Sequence, residues 1–217
     1  MKYIKLFESW QVLTESQELE DKPDISAEPG KSDPVQSQTE EAYATQVFPK
    51  TRIKRILYHY TSAKSKILKD GFKSKVELGT RVGDVDMDAI FFTASKENYW
   101  GGKDVTMDRI AVVLNIQNPI DLSEVKLGTE EEDLTQAQKE TFNLFKELKE
   151  KGEDSAWNKY GKGGQTPTSD QIEIEVRKSF EEAGYDAIIY PEFSEVAIFN
   201  KQNIKIVDDA GLASVTP

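Results

Sequence analysis

The stretch that decides how this chain folds is LYHYT, residues 57–61, an apolar and aromatic run that ends at a polar turn. The run is rich in residues that favour strands, and it predicts the end of a strand over 52–61. Its central residue, His59, is the only histidine among 217 residues. A histidine at a strand end can offer a hydrogen-bonding ring to a ligand, although a lone histidine there is ordinarily a hydrogen-bonded core residue.

The segments that follow predict further short elements. Ser62 can cap a helix over 63–69 that ends at Asp70-Gly71, and a polar loop over 78–88 leads to a buried strand over 89–94. Ser95 can then cap a helical turn that returns Tyr99 over the end of that strand.

The second half of the chain alternates helices and strands without a regular β-α-β repeat. We predict a strand over 109–116 that stops at Asn118-Pro119, a helix over 134–151, a mobile glycine-rich loop over 152–168 and a helix over 169–183. Three short strands follow over 185–190, 195–199 and 203–207. This order predicts an α+β fold with a mainly antiparallel sheet.

Composition divides the chain into three parts. Residues 1–15 can form a short amphipathic helix, and residues 16–50 are acidic and polar with almost no aliphatic side chains, which predicts a disordered linker. A folded domain over 51–207 and a tail over 208–217 complete the organisation. A frayed terminus explains residues 1–50 equally well.

Charge and residue usage exclude several classes of function. Lys and Arg number 28 against 39 Asp and Glu, giving a net charge of −11, which argues against binding to a nucleic acid backbone. The absence of cysteine and the single histidine argue against thiolate chemistry and metal clusters. No window is apolar enough for a membrane span or a signal core, so we expect a soluble cytoplasmic protein.

A glutamate near the end of the chain is the strongest candidate for chemistry. Glu195 opens a strand of Val, Ala, Ile and Phe, where a buried carboxylate is costly, so it either faces solvent or has a role. Glu192 is its nearest competitor and lies closer to the turn. Alternation along the strand over 89–94 lets only one of Phe91 and Phe92 face a cleft, and both are ordinary core residues when taken singly.

The order of these motifs resembles an ADP-ribosyltransferase domain of the His-Tyr-Glu clade, which includes diphtheria toxin and the poly(ADP-ribose) polymerases. The chain is most similar to the domains found in polyvalent proteins of phages and mobile elements. The resemblance covers residues 53–207 and implies a split β-sheet core with flanking helices after a disordered N-terminal segment. The motifs that carry it are YHYT (58–61), IFFTA (90–94) followed by Asn98-Tyr99, VVLNIQNPID (112–121), GYDAII (184–189), EVAIF (195–199) and NIK (203–205).

The resemblance implies three catalytic residues. Glu195 would stabilise the positive charge that develops on ribose when the bond to nicotinamide breaks, as carboxylates do in glycoside hydrolysis. His59 would hold a hydroxyl of the adenosine-side ribose, and Tyr99 would stack on the nicotinamide ring.

It also implies the binding surface for NAD. Phe91 would form the second wall of the nicotinamide slot, the backbone of Tyr60 would bind the nicotinamide amide, and Thr61 would support the turn. Arg81 could reach the pyrophosphate, although an arginine in an acidic loop more often makes local ion pairs. The best-known members have glycine where this chain has Tyr60 and tyrosine where it has Phe91.

The implied function is a phage-encoded, NAD-dependent mono-ADP-ribosyltransferase that uses NAD as co-substrate, needs no metal and modifies a protein in the host cytoplasm. One alternative is a degenerate domain that binds a nucleotide without turnover, which Tyr60 and Phe91 favour. Another is a cargo or structural protein of the phage particle that docks through residues 1–20. Transfer of an RNA 2′-phosphate to NAD would need a basic surface that this acidic chain does not supply.

Overall fold

A computed structural model describes residues 34–78, 87–95, 107–126, 129–191 and 195–207 of the protein. Several sequence-based expectations lie outside these ranges. They are the helix over 1–15, the beginning of the linker, Arg81, Tyr99, Glu192 and the tail over 208–217.

The described part of the chain is a mixed α+β fold, as the sequence predicts. None of its helices is both long and apolar enough to cross a membrane. The α-helices are α1 (Pro34–Val47), α2 (Lys64–Asp70), α3 (Lys75–Leu78), α4 (Gln136–Tyr160) and α5 (Ser169–Glu182).

The strands form two sheets, with the orders β1-β3-β7 and β2-β6-β5-β4. Every neighbouring pair is antiparallel except β4 and β5, so the expectation of a mainly antiparallel arrangement is confirmed. The strands are β1 (Leu57–Thr61), β2 (Ile90–Phe92), β3 (Asp108–Leu114), β4 (Pro119–Asp121), β5 (Ala187–Ile189), β6 (Val196–Ile198) and β7 (Ile204–Ile206).

The two sheets meet at a single bridge between β1 and the end of β2. The backbone N–H of Tyr58 donates to the Thr93 carbonyl at 2.8 Å, and the Thr93 N–H donates to the Tyr58 carbonyl at 2.9 Å. Beyond this bridge, the described residues of β1 and β2 form no further ladder pair. The sheets therefore separate immediately after Tyr58, at His59.

Apolar residues form three clusters because successive side chains of a strand point to opposite faces. The inter-sheet cluster contains Leu57, Phe92 and Val196 and lies where the two sheets face each other. The helix cluster lies between the four-stranded sheet and helices α4 and α5, and the α1 cluster lies between α1 and the three-stranded sheet. The neighbours Leu57 and Tyr58 consequently belong to different clusters.

The predicted disordered linker is wrong for its last part, because α1 occupies Pro34–Val47. The helix is polar along most of its length, but Ala44 is fully buried against the three-stranded sheet. Val47 and Phe48 also pack on the α1 cluster, and Lys54 forms an ion pair with Glu41 at 3.1 Å. Tertiary packing thus stabilises a helix that local composition does not predict.

The predicted mobile loop over 152–168 is also wrong in its first half. Helix α4 continues through Gly152 to Tyr160, and a capping box at Thr168 then starts α5. A Cβ atom placed on Gly152 would lie 2.4 Å from the Cα atom of Val176. The glycine therefore marks the close approach of α4 and α5 and not the end of a helix.

The strand predicted over 109–116 ends before Asn118-Pro119, as expected, but Pro119 itself begins a further strand that the sequence does not predict. Pro119 is the first residue of β4, which is the outer strand of its sheet. Proline is tolerated there because an edge strand has free positions that need no N–H donor.

Replacement of Gly152 by alanine tests the helix crossing. Alanine favours an isolated helix by about 1 kcal/mol relative to glycine. We nevertheless expect Gly152→Ala to lower the free energy of unfolding by about 2 kcal/mol, because the added methyl group meets the backbone of α5. Urea denaturation measures the change, with Glu150→Ala on the exposed face of α4 as the control. Equal or greater stability of Gly152→Ala would contradict the close approach.

Candidate functional site

His59 lies where the two sheets separate, and its ring takes the place of a missing ladder bond. The backbone N–H and carbonyl of Thr93 point toward β1. Because backbone groups alternate sides along a strand, the N–H and carbonyl of Phe91, two residues earlier, point the same way. The Nδ1 atom of His59 lies 2.9 Å from the Phe91 carbonyl oxygen. Because a carbonyl only accepts hydrogen bonds, Nδ1 carries the proton, and Nε2 of the neutral ring is an acceptor.

The surroundings of His59 keep the ring neutral. Burial lowers the pKa of His59 below its usual 6.5, and the hydrogen bond to the Phe91 carbonyl opposes this shift only in part. The ring centroid lies 5.3 Å from that of Phe72, with the two planes nearly perpendicular, and 5.7 Å from that of Phe92. The imidazole is thus a neutral, fixed hydrogen-bonding group at neutral pH.

Glu195 lies immediately before β6. Its backbone carbonyl accepts a hydrogen bond from the Tyr190 N–H at 2.9 Å, which ties this position to the end of β5. Burial raises the pKa of the Glu195 carboxyl group from 4.5 to about 7. The described residues contribute no hydrogen bond and no ion pair to this carboxyl group, so nothing in the described part of the chain offsets its desolvation.

The pairing of the strands relates Glu195 to His59. Phe92 pairs with Val196, so continuing the register by one residue sets Thr93 opposite Glu195. Thr93 also bridges to Tyr58, the neighbour of His59. Two strand spacings therefore separate the backbones at Tyr58 and Glu195, or about 10 Å.

The two side chains approach this junction from different sides. By alternation, Glu195 begins on the same face of the sheet as Phe91, whereas the His59 ring contacts Phe92 on the opposite face. The Phe91 carbonyl that His59 binds points sideways, into the gap between β1 and β2. Alternation therefore directs the imidazole and the carboxyl group to opposite faces, at the end of β2 where the two sheets separate.

Three further predicted residues lie around the same gap. Phe91 is half-buried and packs against the helix cluster, on the face of Glu195. The Tyr60 ring packs against the α1 cluster, and its hydroxyl donates to the Ser95 carbonyl at 3.2 Å. The Thr61 hydroxyl accepts from the Ala63 N–H at 2.9 Å, within the turn that follows β1. The other two, Tyr99 and Arg81, lie outside the described residues.

Sequence reasoning missed three residues of this region. Phe72 contacts the His59 ring, and Thr93 joins the two sheets through its backbone. The Ser95 carbonyl accepts the hydrogen bond from the Tyr60 hydroxyl. The available signal for Phe72 was its position directly after Asp70-Gly71, since an aromatic ring in a polar turn region needs a packing partner.

Two clefts lined by described residues lie elsewhere, along α4 and α5. The larger has a volume of about 500 Å³, and none of its lining residues carries a carboxylate, so it offers nothing to stabilise a developing positive charge. It is lined by Lys159, Tyr160, Lys162, Gln165, Thr166, Thr168 and Gln171. Within the described ranges, no cluster of three or more His, Asp or Glu side chains could hold a metal ion.

Comparison with known proteins gave no match: no family model, no curated protein and no solved structure is significantly similar to this chain.

The pH dependence of stability tests the desolvation of Glu195. The pKa of its carboxyl group is about 7 in the folded protein and near 4.5 when unfolded, so the folded state binds this proton more tightly. The stability gained from protonation is complete below pH 4.5 and is lost as the pH rises through 7. Glutamine stays neutral throughout. We therefore expect Glu195→Gln to match the wild type near pH 4 and to exceed its free energy of unfolding by about 2 kcal/mol at pH 8, allowing for partial exposure.

Chemical denaturation across this pH range measures the difference. Glu147→Gln removes the same charge from the exposed surface of α4 and serves as the control. A difference between Glu195→Gln and the wild type that does not change with pH would rule out a desolvated carboxyl group.

Proposed function

We propose that the protein is an NAD-dependent mono-ADP-ribosyltransferase that transfers ADP-ribose to a protein acceptor. The observation that carries the proposal is the desolvated Glu195 carboxyl group one strand away from the bridge that positions His59. Perturbed carboxyl groups of this kind cluster at functional sites, because a fold does not otherwise gain from a buried acid without a partner.

The arrangement of the sheets supports the same proposal. The resemblance implies a split β-sheet core, and the two sheets here share only the bridge between Tyr58 and Thr93 among the described residues. Separation of the sheets after this bridge opens the edges of β1 and β2 to a ligand. His59 and the Phe91 carbonyl lie on those two edges.

In this proposal Glu195 stabilises the transition state. The bond between C1′ of ribose and the nicotinamide nitrogen breaks, nicotinamide leaves with the electron pair, and positive charge develops on the ribose. The acceptor then forms a bond to C1′ and loses its proton. A carboxylate about 4 Å from the charge contributes roughly 4 kcal/mol at an effective dielectric constant near 20, or about a thousandfold in rate.

The raised pKa of Glu195 is compatible with this role. A carboxyl group with a pKa of about 7 is partly protonated at neutral pH in the free protein. The nicotinamide ring of NAD carries a positive charge, and an opposite charge nearby favours the ionised carboxylate. Substrate binding would therefore supply a positive charge that the described residues do not place beside Glu195.

His59 would bind NAD through its second nitrogen. With Nδ1 donating to the Phe91 carbonyl, Nε2 can accept a hydrogen bond from a ribose hydroxyl. Because the backbones at Tyr58 and Glu195 are about 10 Å apart and the two side chains begin on opposite faces, one dinucleotide would extend across the end of β2 to place its two sugars against them. His59 would hold the adenosine-side ribose and Glu195 the nicotinamide-side ribose.

The two departures from the best-known members are compatible with this site. The Tyr60 ring packs toward the α1 cluster, so it leaves the Tyr60 backbone available for the nicotinamide amide. Phe91 lacks a hydroxyl but lies on the face of Glu195, where its ring can form one wall of the slot. Tyr99 would form the other wall, and Arg81 would reach the pyrophosphate.

The acceptor and the location follow from charge and resemblance. A chain with a net charge of −11 favours a protein acceptor over a polynucleotide. The likeness to phage polyvalent proteins favours the host cytoplasm, or association with the phage particle through residues 1–20. A degenerate domain that binds NAD without turnover is the second candidate, which the hydroxyl missing at Phe91 favours.

Nicotinamide release and label transfer test the proposal together. The wild type, Glu195→Gln and the surface control Glu147→Gln are incubated with NAD labelled on its adenylate, with and without a bacterial lysate. We expect the wild type and Glu147→Gln to release nicotinamide and label a protein, and we expect Glu195→Gln to be slower by about a thousandfold.

Equilibrium binding of NAD separates the candidate functions. NAD binding without turnover by the wild type would favour the degenerate domain. The absence of both binding and turnover would exclude NAD as the ligand. Equal activity of Glu195→Gln and the wild type would remove Glu195 from the mechanism.

A further inference from the structure

We propose that Phe72 is a positioning residue for His59, which fixes the imidazole with Nδ1 donating to the Phe91 carbonyl and Nε2 as the acceptor for a ligand. The inference rests on the proposed function for its effect on NAD, but its effect on the imidazole can be measured without NAD. Neither the composition nor the motifs of the chain point to this residue.

The geometry around His59 is a triangle of three rings. The Phe72 ring meets the imidazole nearly at a right angle, at 5.3 Å between centroids, and meets the Phe92 ring at 5.4 Å. The third side, between His59 and Phe92, measures 5.7 Å. Edge contacts of this kind are favourable for aromatic rings. The imidazole therefore has a packed ring on two sides and a hydrogen-bond acceptor at Nδ1.

The backbone before Phe72 explains how the ring reaches this place. Helix α2 ends at Gly71, whose N–H donates to the Ile67 carbonyl at 2.8 Å and whose φ angle is 80°. This left-handed conformation is available to glycine at little cost and turns the chain under β1. Phe72 is 5% exposed and belongs to the inter-sheet cluster, on which Ile67 also packs.

Phe72 acts on His59 by excluding water and by restricting rotation. Within the described ranges, burial lowers the pKa of His59 and the Phe91 carbonyl raises it, and no charged side chain contributes. Phe72 supplies part of that burial, since its ring packs against the imidazole in an edge contact. A smaller side chain would admit water, allow the ring to rotate and let both nitrogens compete for the proton.

Nuclear magnetic resonance can follow this imidazole without ambiguity, because His59 is the only histidine of the chain. In the wild type we expect an Nδ1–H tautomer with unprotonated Nε2 at pH 7. Phe72→Leu should raise the pKa of His59 toward 6.5 and mix the two tautomers. Phe145→Leu is the matched control, since Phe145 is equally buried but belongs to the helix cluster.

Phe72→Met provides a second variant, whose unbranched and flexible side chain can refill the space, in case Phe72→Leu does not fold. An imidazole pKa and tautomer that stay unchanged in the folded variant would overturn the proposal, whether or not the protein turns over NAD. A change in Phe72→Leu or Phe72→Met that is absent from Phe145→Leu supports it.

The second readout separates this inference from the proposed function. His59 is assigned to the sugar remote from the broken bond, so we expect Phe72→Leu to raise KM for NAD about tenfold and to change kcat less than twofold. An equal loss in kcat and kcat/KM would contradict a positioning role. If Phe72→Leu changes the imidazole but the wild type does not consume NAD, the positioning role is supported and the proposed transferase activity is contradicted.

Discussion

The hydrogen bond between His59 and the Phe91 carbonyl is the interaction on which the site depends. It forms where the backbone ladder between β1 and β2 ends, and it satisfies a carbonyl group that would otherwise lack a partner at the opening of the sheet. The same bond fixes which imidazole nitrogen carries the proton. One contact thus satisfies the Phe91 carbonyl on the edge of β2 and leaves Nε2 as an acceptor, which joins the stability of the fold to the chemistry proposed for it.

Glu195 and Glu175 illustrate how differently a carboxylate behaves with and without partners. Glu175 is also buried, but hydrogen bonds from Lys178, Lys159 and Ser155 hold the pKa of its carboxyl group at about 2. That group is a structural link between α4 and α5. Glu195 receives no comparable bond from the described residues, and burial alone raises its pKa. The contrast is the physical reason for assigning chemistry to Glu195 and packing to Glu175.

The sequence predicts some of this structure and misses the rest for identifiable reasons. Local patterns locate β1, β2 and α5, because runs such as 89–94 are apolar and end at turn residues. The predictions of a loop beginning at Gly152 and of a disordered linker over residues 34–47 were wrong. The extension of α4 depends on its contact with Val176, and α1 depends on its contact with the three-stranded sheet. The sequence nominates His59 and Glu195 singly, but their relation through Thr93 requires the register of three strands. The contact of Phe72 with His59 has no periodic pattern behind it.

A crystal structure of Glu195→Gln bound to intact NAD would locate the ligand relative to His59 and Glu195. We expect NAD to lie in the opening between β1 and β2, with the adenosine-side ribose on Nε2 of His59 and the nicotinamide-side ribose beside residue 195. NAD bound in the cleft between α4 and α5, or bound without contact to His59, would rule out the proposed site.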